Sequence, residues 1–87
     1  MNKDIENAIA LLYDKEIHNA PVVISKGEKL LAKRMVEVAK KYDIPIVEDD
    51  ETASILMELD IGEEIPYSLY EAVSVILSHV YKLKAEL

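Results

Sequence analysis

The sequence has no cysteine and only two glycines among its 87 residues. Without cysteine, the chain can form no disulfide framework, no thiolate nucleophile and no cysteine-ligated zinc site. Gly27 and Gly62 stand far apart, so neither a G-x-G-x-x-G motif nor a P-loop can be written in this chain. We therefore expect stability to come from packing alone, and the lack of cysteine agrees with a reducing cytoplasmic setting.

Long apolar segments are also missing. The longest stretch without a charged residue covers residues 72–81, well short of the roughly 18 to 20 apolar residues that span a bilayer. Asp4 and Glu6 precede only a short apolar run, which is unlike the basic start and long apolar region of a secretory signal. A chain of this length has room for one core, so we expect residues 1–87 to form a single cytoplasmic domain.

Positive charge is scarce in the second half of the chain. The whole sequence has 17 acidic and 10 basic residues, a net charge of −7, which divides into +2 for residues 1–42 and −9 for residues 43–87. An acidic balance of this size repels phosphate backbones and anionic lipid headgroups. We therefore expect neither a nucleic-acid partner nor direct membrane insertion.

Two charge clusters each allow a functional and a structural interpretation. Five basic residues on the first predicted long helix form either a docking patch for an acidic partner or a solvated helix face, and the second is the usual arrangement. They are Lys29, Lys33, Arg34, Lys40 and Lys41. The acidic residues 48–51 suit a helix start, and the sequence alone cannot show the folded-back geometry of a carboxylate metal site.

Apolar patterning predicts an alternation of strands and helices. Residues 8–13 are apolar on both faces and predict a strand, and the β-branched residues 22–24 after Pro21 predict a second. Ser25 and Glu28 form a potential capping box before a helix. Apolar residues follow at helical spacing: Leu31, Met35, Val38, Ala39 and Tyr42. Residues 44–47 predict a third strand, in which Pro45 is tolerable at an edge.

Two further helices are expected. Asp49 or Asp50 would cap a short helix through about Leu59, and Gly62 would end that region. The inward face of the short helix would be Ala53, Leu56 and Met57. A second capping box, Ser68 and Glu71, would start a long C-terminal helix. The apolar stripe of that helix is Leu69, Val73, Ile76, Val80 and Leu83.

These elements predict the α/β class, with a small mixed β-sheet of three to four strands flanked by three to four helices. The second strand, the first long helix and the third strand would make a right-handed parallel crossover.

No catalytic, cofactor-binding or metal-binding site can be assigned from residue types and spacing. The serines lack a G-x-S-x-G setting, and His18 and His79 have no partner at ligand spacing, so both are expected to be surface or edge residues. Tyr13 and Tyr42 fit core borders. The tyrosines near or on the last helix fit either the core, which we favour, or a partner groove. They are Tyr67, Tyr70 and Tyr81.

Several segments, in order and spacing, resemble the C-terminal cytoplasmic domain of FlhB-type export-gate proteins of flagellar and type III secretion systems. They are AIALLYD (8–14), APVVISKG (20–27), IPIVE (44–48), IGEEIP (61–66), LYEAV (69–73) and VYKL (80–83). The resemblance covers nearly the whole chain. It implies the fold of that domain and a place in protein export.

The resemblance also bears on self-cleavage. In that family an Asn-Pro-Thr-His motif precedes the first of these strands, and cyclisation of its Asn breaks the Asn-Pro bond. The matching positions here are residues 3–6, Lys-Asp-Ile-Glu, and the three prolines follow Ala20, Ile44 and Ile65. The chain therefore has no Asn-Pro bond, and we expect a stand-alone homologue that is not an enzyme, does not cleave itself and needs no cofactor.

The family further suggests a partner-binding surface, because its members contact export substrates through an apolar patch. The corresponding residues here are Ala20, Pro21, Ser74 and Leu77. A short apolar loop beside a helix groove can hold an extended peptide. In the alternative interpretation, Ala20 and Pro21 simply lead into a strand and Leu77 belongs to the core.

The leading hypothesis is a binding module of the flagellar export apparatus, standing in for or modulating the substrate-specificity domain of the gate protein. Its expected partners are export substrates and export-apparatus proteins, among them a truncated gate protein. The alternative is a small regulatory or ligand-binding domain unrelated to export, whose acidic half binds cations or a basic partner. An enzyme would need a cryptic carboxylate pair within residues 48–51 or at Glu63 and Glu64.

Overall fold

The computed structural model describes residues 5–14 and 16–85, with side chains described as far as residue 78. Within this part, two strands come first: β1 is Asn7–Leu12 and β2 is Val22–Glu28. Three α-helices follow, namely α1 (Leu30–Lys41), α2 (Asp50–Leu56) and α3 (Tyr70–Ala85). A 3₁₀ helix at Tyr67–Leu69 leads directly into α3. The predicted α/β class is confirmed, with fewer strands than expected.

The sheet is an antiparallel pair of β1 and β2. Its register runs from Asn7 opposite Glu28 to Leu12 opposite Val22, with an irregularity between Ala10 and Leu11. On the other side of β2, the segment after Gly62 adds one isolated bridge between Val22 and Glu64. The Val23 N–H donates to the Glu63 carbonyl (3.0 Å). The later chain is thereby joined to the hairpin by backbone hydrogen bonds.

The predicted capping box at Ser25 and Glu28 is wrong, because both residues belong to β2. Their backbones pair with β1, so neither is free to start a helix. Lys29 takes the N-cap position of α1 with φ of 52° and no side-chain cap, and its N–H donates to the Glu6 carbonyl (2.9 Å). From this abrupt turn α1 runs back and packs against both strands.

The predicted third strand at residues 44–47 is also wrong. The segment has no ladder pairing in the described structure, and Ile44 and Ile46 are exposed. Pro45 has no N–H to donate to a neighbouring strand, which weakens a run of only four residues. Without that strand there is no parallel crossover among the described elements, and the observed strand pair is antiparallel.

The start of α2 agrees with the prediction. Asp49 is its N-cap and accepts a hydrogen bond from the Thr52 N–H. The helix ends at Leu56, three residues before the predicted end. Of its predicted inward residues, Leu56 is buried while Ala53 and Met57 are half-buried.

The second predicted capping box is wrong at Ser68. The Pro66 carbonyl accepts the Leu69 N–H (2.9 Å), so helical turning starts with the 3₁₀ helix, in which Ser68 is the middle residue. In α3 Val73 is buried, and Leu69 and Ile76 on the same predicted stripe are half-buried. The side chains of Val80 and Leu83 lie outside the described residues, as does that of Tyr81.

The main core joins four elements of the chain. Ala20, Leu56, Ile65 and Val73 form its buried centre, so it contains the loop before β2, helix α2, the segment before the 3₁₀ helix, and α3. Half-buried residues complete it: Ile9, Leu11, Leu59, Leu69 and Leu77. No helix of the described part of the chain has both the length and the apolar character needed to cross a membrane.

Candidate partner-binding groove

An open groove of about 700 Å³ lies between the loop that precedes β2 and the start of α3. The loop contributes Asn19, Ala20 and Pro21, and Tyr13 lines the groove just beyond β1. The opposite wall comes from the 3₁₀ helix and the first two turns of α3. Its residues are Tyr67, Ser68, Tyr70, Glu71, Val73, Ser74 and Leu77, and Ile65 completes the lining.

Backbone hydrogen bonds hold the loop side of the groove in place. The Asp14 carbonyl accepts the Ile17 and His18 N–H groups at 2.9 and 2.7 Å, which forms a tight turn. The His18 Nδ1 accepts the Asp14 N–H (3.1 Å), so this half-buried histidine closes the same turn. Beyond the turn, the Ile65 N–H donates to the Pro21 carbonyl (2.9 Å). The loop is thus tied to the chain segment that leads into α3.

The floor of the groove is apolar and continuous with the core. Ala20, Ile65 and Val73 are core residues that also line the groove, and Val73 is only 1% exposed. Leu77 is half-buried and packs against the same core cluster. Ser74 is exposed at the edge of the floor, and its hydroxyl donates to the Glu71 carbonyl (2.9 Å). An extended apolar side chain of a partner could therefore rest on this floor without displacing a buried polar group.

The four residues that the family resemblance suggested all line this one groove. Ala20 and Pro21 are buried, whereas Ser74 is exposed and Leu77 lies between these extremes. Ala20 and Leu77 belong to or pack against the core and also line the open groove. The binding of a partner by these four residues stays a prediction.

Two exposed tyrosines form an aromatic rim of the groove. For Tyr67 and Tyr70 residue patterns favoured the core and left a partner groove as the alternative, and both residues, 85% and 38% exposed, line the groove. Their ring centroids lie 5.1 Å apart with an interplanar angle of 45°. The sequence feature that could have indicated this rim is the pair of tyrosines three residues apart beside a helix start.

Tyr42, which was expected at a core border, is exposed, and the Lys41 Nζ lies 5.7 Å from its ring centroid.

The two charge clusters lie outside the groove lining. The five basic residues are all exposed, four of them on α1 and Lys29 just before it. In the acidic run, Asp49 Oδ1 accepts the Thr52 N–H (3.0 Å) and Oδ2 accepts the Thr52 hydroxyl (2.9 Å). These two hydrogen bonds lower the pKa of Asp49 below its ordinary value. Among the described residues, no three His, Asp or Glu side chains lie together as a potential metal site.

Comparison with known proteins gives consistent matches along the chain. YlqH of Bacillus subtilis is 39% identical over 79 residues, covering 91% of this chain and 85% of that protein. The flagellar biosynthetic protein FlhB of Aquifex aeolicus is 42% identical over 74 residues, which is 84% of this chain but 21% of FlhB. The chain therefore spans about a fifth of the FlhB proteins that it matches.

Solved structures show the same fold. The C-terminal domain of an EscU/SpaS variant superposes with a TM-score of 0.85 at 28% identity, covering 88% of this chain and 96% of that domain. The PscU C-terminal domain gives 0.81 at 25% identity, covering 86% and 96%. The model of the FlhB HrpN YscU SpaS family matches residues 5–80, and the chain belongs to that family.

Proposed function

We propose that this chain is a non-catalytic binding module of the flagellar protein export apparatus, with residues 1–87 acting as one domain in the cytoplasm. In this role it stands in for, or modulates, the substrate-specificity domain of an FlhB-type gate protein. Its partners are export substrates and export-apparatus proteins, which it binds in the groove between residues 19–21 and α3.

The single observation that carries this proposal is the convergence of Ala20, Pro21, Ser74 and Leu77 on one open groove with an apolar floor. The pairs are separated by more than 50 residues in the sequence, and the core brings them together. Ligand sites in proteins are commonly concave surfaces with an apolar lining and a few polar groups at their edges.

The sequence supports the non-catalytic part of the proposal. The residues at the position of the family's self-cleaving motif are Lys3, Asp4, Ile5 and Glu6, and no proline in the chain follows an asparagine. The cyclisation that breaks an Asn-Pro bond has no substrate here. The activity proposed for the groove is therefore binding, without cleavage of a peptide bond.

The test is a pull-down of the purified protein with flagellar rod, hook and filament subunits and with an FlhB protein lacking its C-terminal domain. Ser74→Arg places a long charged side chain at the groove, and because Ser74 is exposed the fold should survive. Ser54→Arg is the matched control, since Ser54 is an exposed serine of α2 that does not line the groove.

We expect Ser74→Arg to weaken binding at least about tenfold, because the arginine would occupy groove volume and leave an unpaired charge against the bound partner. Ser54→Arg should bind like the wild type, and circular dichroism should show the same fold and melting temperature for all three proteins. Pro21→Asp and Leu77→Asp extend the test, with the fold checked in each because both residues contact the core. Unchanged binding by Ser74→Arg, or no binding to any of these proteins, would overturn the proposal.

A further inference from the structure

Two tyrosine rings that line the groove are exposed and do not belong to the core cluster. Tyr67 is 85% exposed and Tyr70 38% exposed, with their ring centroids 5.1 Å apart. The backbone under them is set by the 3₁₀ helix, in which the Tyr70 N–H donates to the Tyr67 carbonyl. Exposed tyrosine rings beside an apolar groove can attract cations, because the faces of aromatic rings carry partial negative charge.

A carboxylate lies next to these rings. Glu71 follows Tyr70 in the first turn of α3, is exposed, and is the only charged residue among the groove-lining residues that the structure describes. Within the described part of the chain, no ion pair or hydrogen bond engages its carboxylate. No positively charged residue is therefore among the described residues that line the groove. The whole chain is also acidic, with a net charge of −7.

We propose that the groove selects segments in which an apolar side chain is next to a lysine or arginine. The apolar side chain packs on the floor formed by Ile65, Val73 and Leu77, and the cation lies at the Tyr67, Tyr70 and Glu71 rim. This inference rests on the proposed function, because it names the chemistry of the segment that the groove binds. The charge of the whole molecule adds long-range attraction for such basic segments.

The first experiment selects ligands without assuming an identity for the partner. A phage library of random nine-residue peptides is selected on the wild-type protein, and every recovered peptide is re-tested on Ser74→Arg to find those that depend on the groove. We expect the groove-dependent peptides to contain lysine or arginine beside an apolar residue well above the frequency in the unselected library. The same selection on Glu71→Lys should remove that excess.

The second experiment measures the affinity of one groove-dependent peptide and of its variant with the basic residue changed to glutamate. For the basic peptide, Glu71→Gln should weaken binding about two- to fivefold and Glu71→Lys about three- to tenfold, with a smaller effect at high salt. Glu71→Lys should bind the glutamate variant better than the wild type does. Tyr67→Leu should weaken only the basic peptide by about two- to fivefold, whereas Tyr42→Leu, at an exposed tyrosine outside the groove, should change neither.

The outcomes separate this inference from the proposed function. Groove-dependent peptides with no excess of lysine or arginine, or affinities that do not respond to Glu71 and Tyr67, would overturn the cation preference and leave the groove as a binding site. If no recovered peptide depended on the groove, both proposals would fail.

Discussion

The two glycines of the chain are needed for different physical reasons. Gly27 lies in β2, where a Cβ atom would approach the Leu31 Cγ to 2.6 Å and the Met35 Sδ to 3.0 Å. Its role is therefore to let α1 pack closely on the sheet. Gly62 has φ of 93°, a backbone conformation that residues with a Cβ atom rarely adopt, while the space around it is open. Its role is to turn the backbone toward the bridge with β2.

We expect Gly27→Ala to lower the free energy of unfolding by about 1 kcal/mol, because the added methyl group overlaps Leu31. Leu31 is mostly exposed, so Leu31→Ala alone should cost little. The double variant should recover most of the loss, since it removes the atoms that clash. Urea unfolding of the four proteins measures this coupling, and strictly additive effects would contradict the overlap.

Asp49 makes stability depend on pH. Its two hydrogen bonds from Thr52 hold its pKa below the ordinary value, so as the pH falls the unfolded chain takes up this proton before the folded chain does. The contribution of Asp49 is therefore complete above about pH 5, where an unfolded aspartate is almost fully ionised, and is lost as the pH falls through the lower folded value.

The test compares melting temperatures of the wild type and Asp49→Asn from pH 7 to pH 3. We expect the wild type to be more stable at pH 7 and the difference to shrink below about pH 4. Glu48→Gln, at an exposed neighbouring carboxylate outside the helix cap, is the control and should show a smaller difference at pH 7. A constant difference between wild type and Asp49→Asn across this range would rule out the role of ionised Asp49.

At the scale of elements, α2 is held at its C-terminal end by a side chain from β2. The Lys26 Nζ donates to the carbonyl oxygens of Met57 (3.1 Å) and Leu59 (2.7 Å). Met57 is the C-cap residue of α2 and Leu59 lies just beyond it. The lysine thus places a cation near the C-terminal end of the helix, where the helix dipole favours positive charge. Lys26 thereby connects the hairpin with the chain that leaves α2.

Replacing this lysine tests the connection. Lys26→Met should lower the free energy of unfolding by about 1 to 2 kcal/mol, since both hydrogen bonds are lost while the apolar part of the side chain is retained. Lys33→Met changes an exposed lysine of α1 in the same way and should stay within about 0.5 kcal/mol of the wild type. Equal effects of the two substitutions in urea unfolding would show that the contact contributes nothing.

The elements also show where local sequence signals are overruled. Ser25 and Glu28 have the spacing of a capping box, but pairing with β1 extends β2 to Glu28. A capping box satisfies two backbone donors, whereas the antiparallel ladder satisfies groups along a whole strand and buries Gly27 against α1. A pattern within four residues cannot indicate that a distant strand competes for the same backbone groups.

At the scale of the whole molecule, the core and the groove share residues. Ala20, Ile65 and Val73 belong to both, and Leu56 of α2 packs with them from the other side. Small domains have a low free energy of unfolding, because it is a small difference between large opposing contributions. The shape of the groove therefore depends on the same packing that keeps the chain folded.

Two neighbouring residues of α2 make this testable. Leu56 is 4% exposed and Ile55 is 42% exposed. We expect Leu56→Ala to lower the free energy of unfolding by about 2 to 4 kcal/mol through the cavity that it leaves, and Ile55→Ala by less than about 1 kcal/mol. Thermal unfolding followed by circular dichroism measures both. A loss of similar size at the two positions would contradict the assignment of Leu56 to the core.

The groove was predictable only in part. Ala20, Pro21, Ser74 and Leu77 were reached through the family resemblance, whereas residue patterns favoured the core for Tyr67 and Tyr70 and gave a partner groove only as the alternative. Tyrosine suits both a buried and an exposed setting, so periodicity could not decide between them. The 3₁₀ helix that begins after Pro66 turns both rings outward, and that turn depends on a backbone hydrogen bond from Leu69 to Pro66.

The sequence by itself determined the α/β class, β1, the start of α2, the long last helix and the absence of an Asn-Pro bond. Each of these depends on residues that are close together in the chain. Only the tertiary structure decided the length of β2, the lack of strand pairing of residues 44–47 within the described part of the chain, and the meeting of residues 20 and 21 with residues 74 and 77. These features depend on which distant segments compete for the same backbone hydrogen bonds and the same buried volume. Short-range patterns carry no information about that competition, so it is settled only when the whole chain packs.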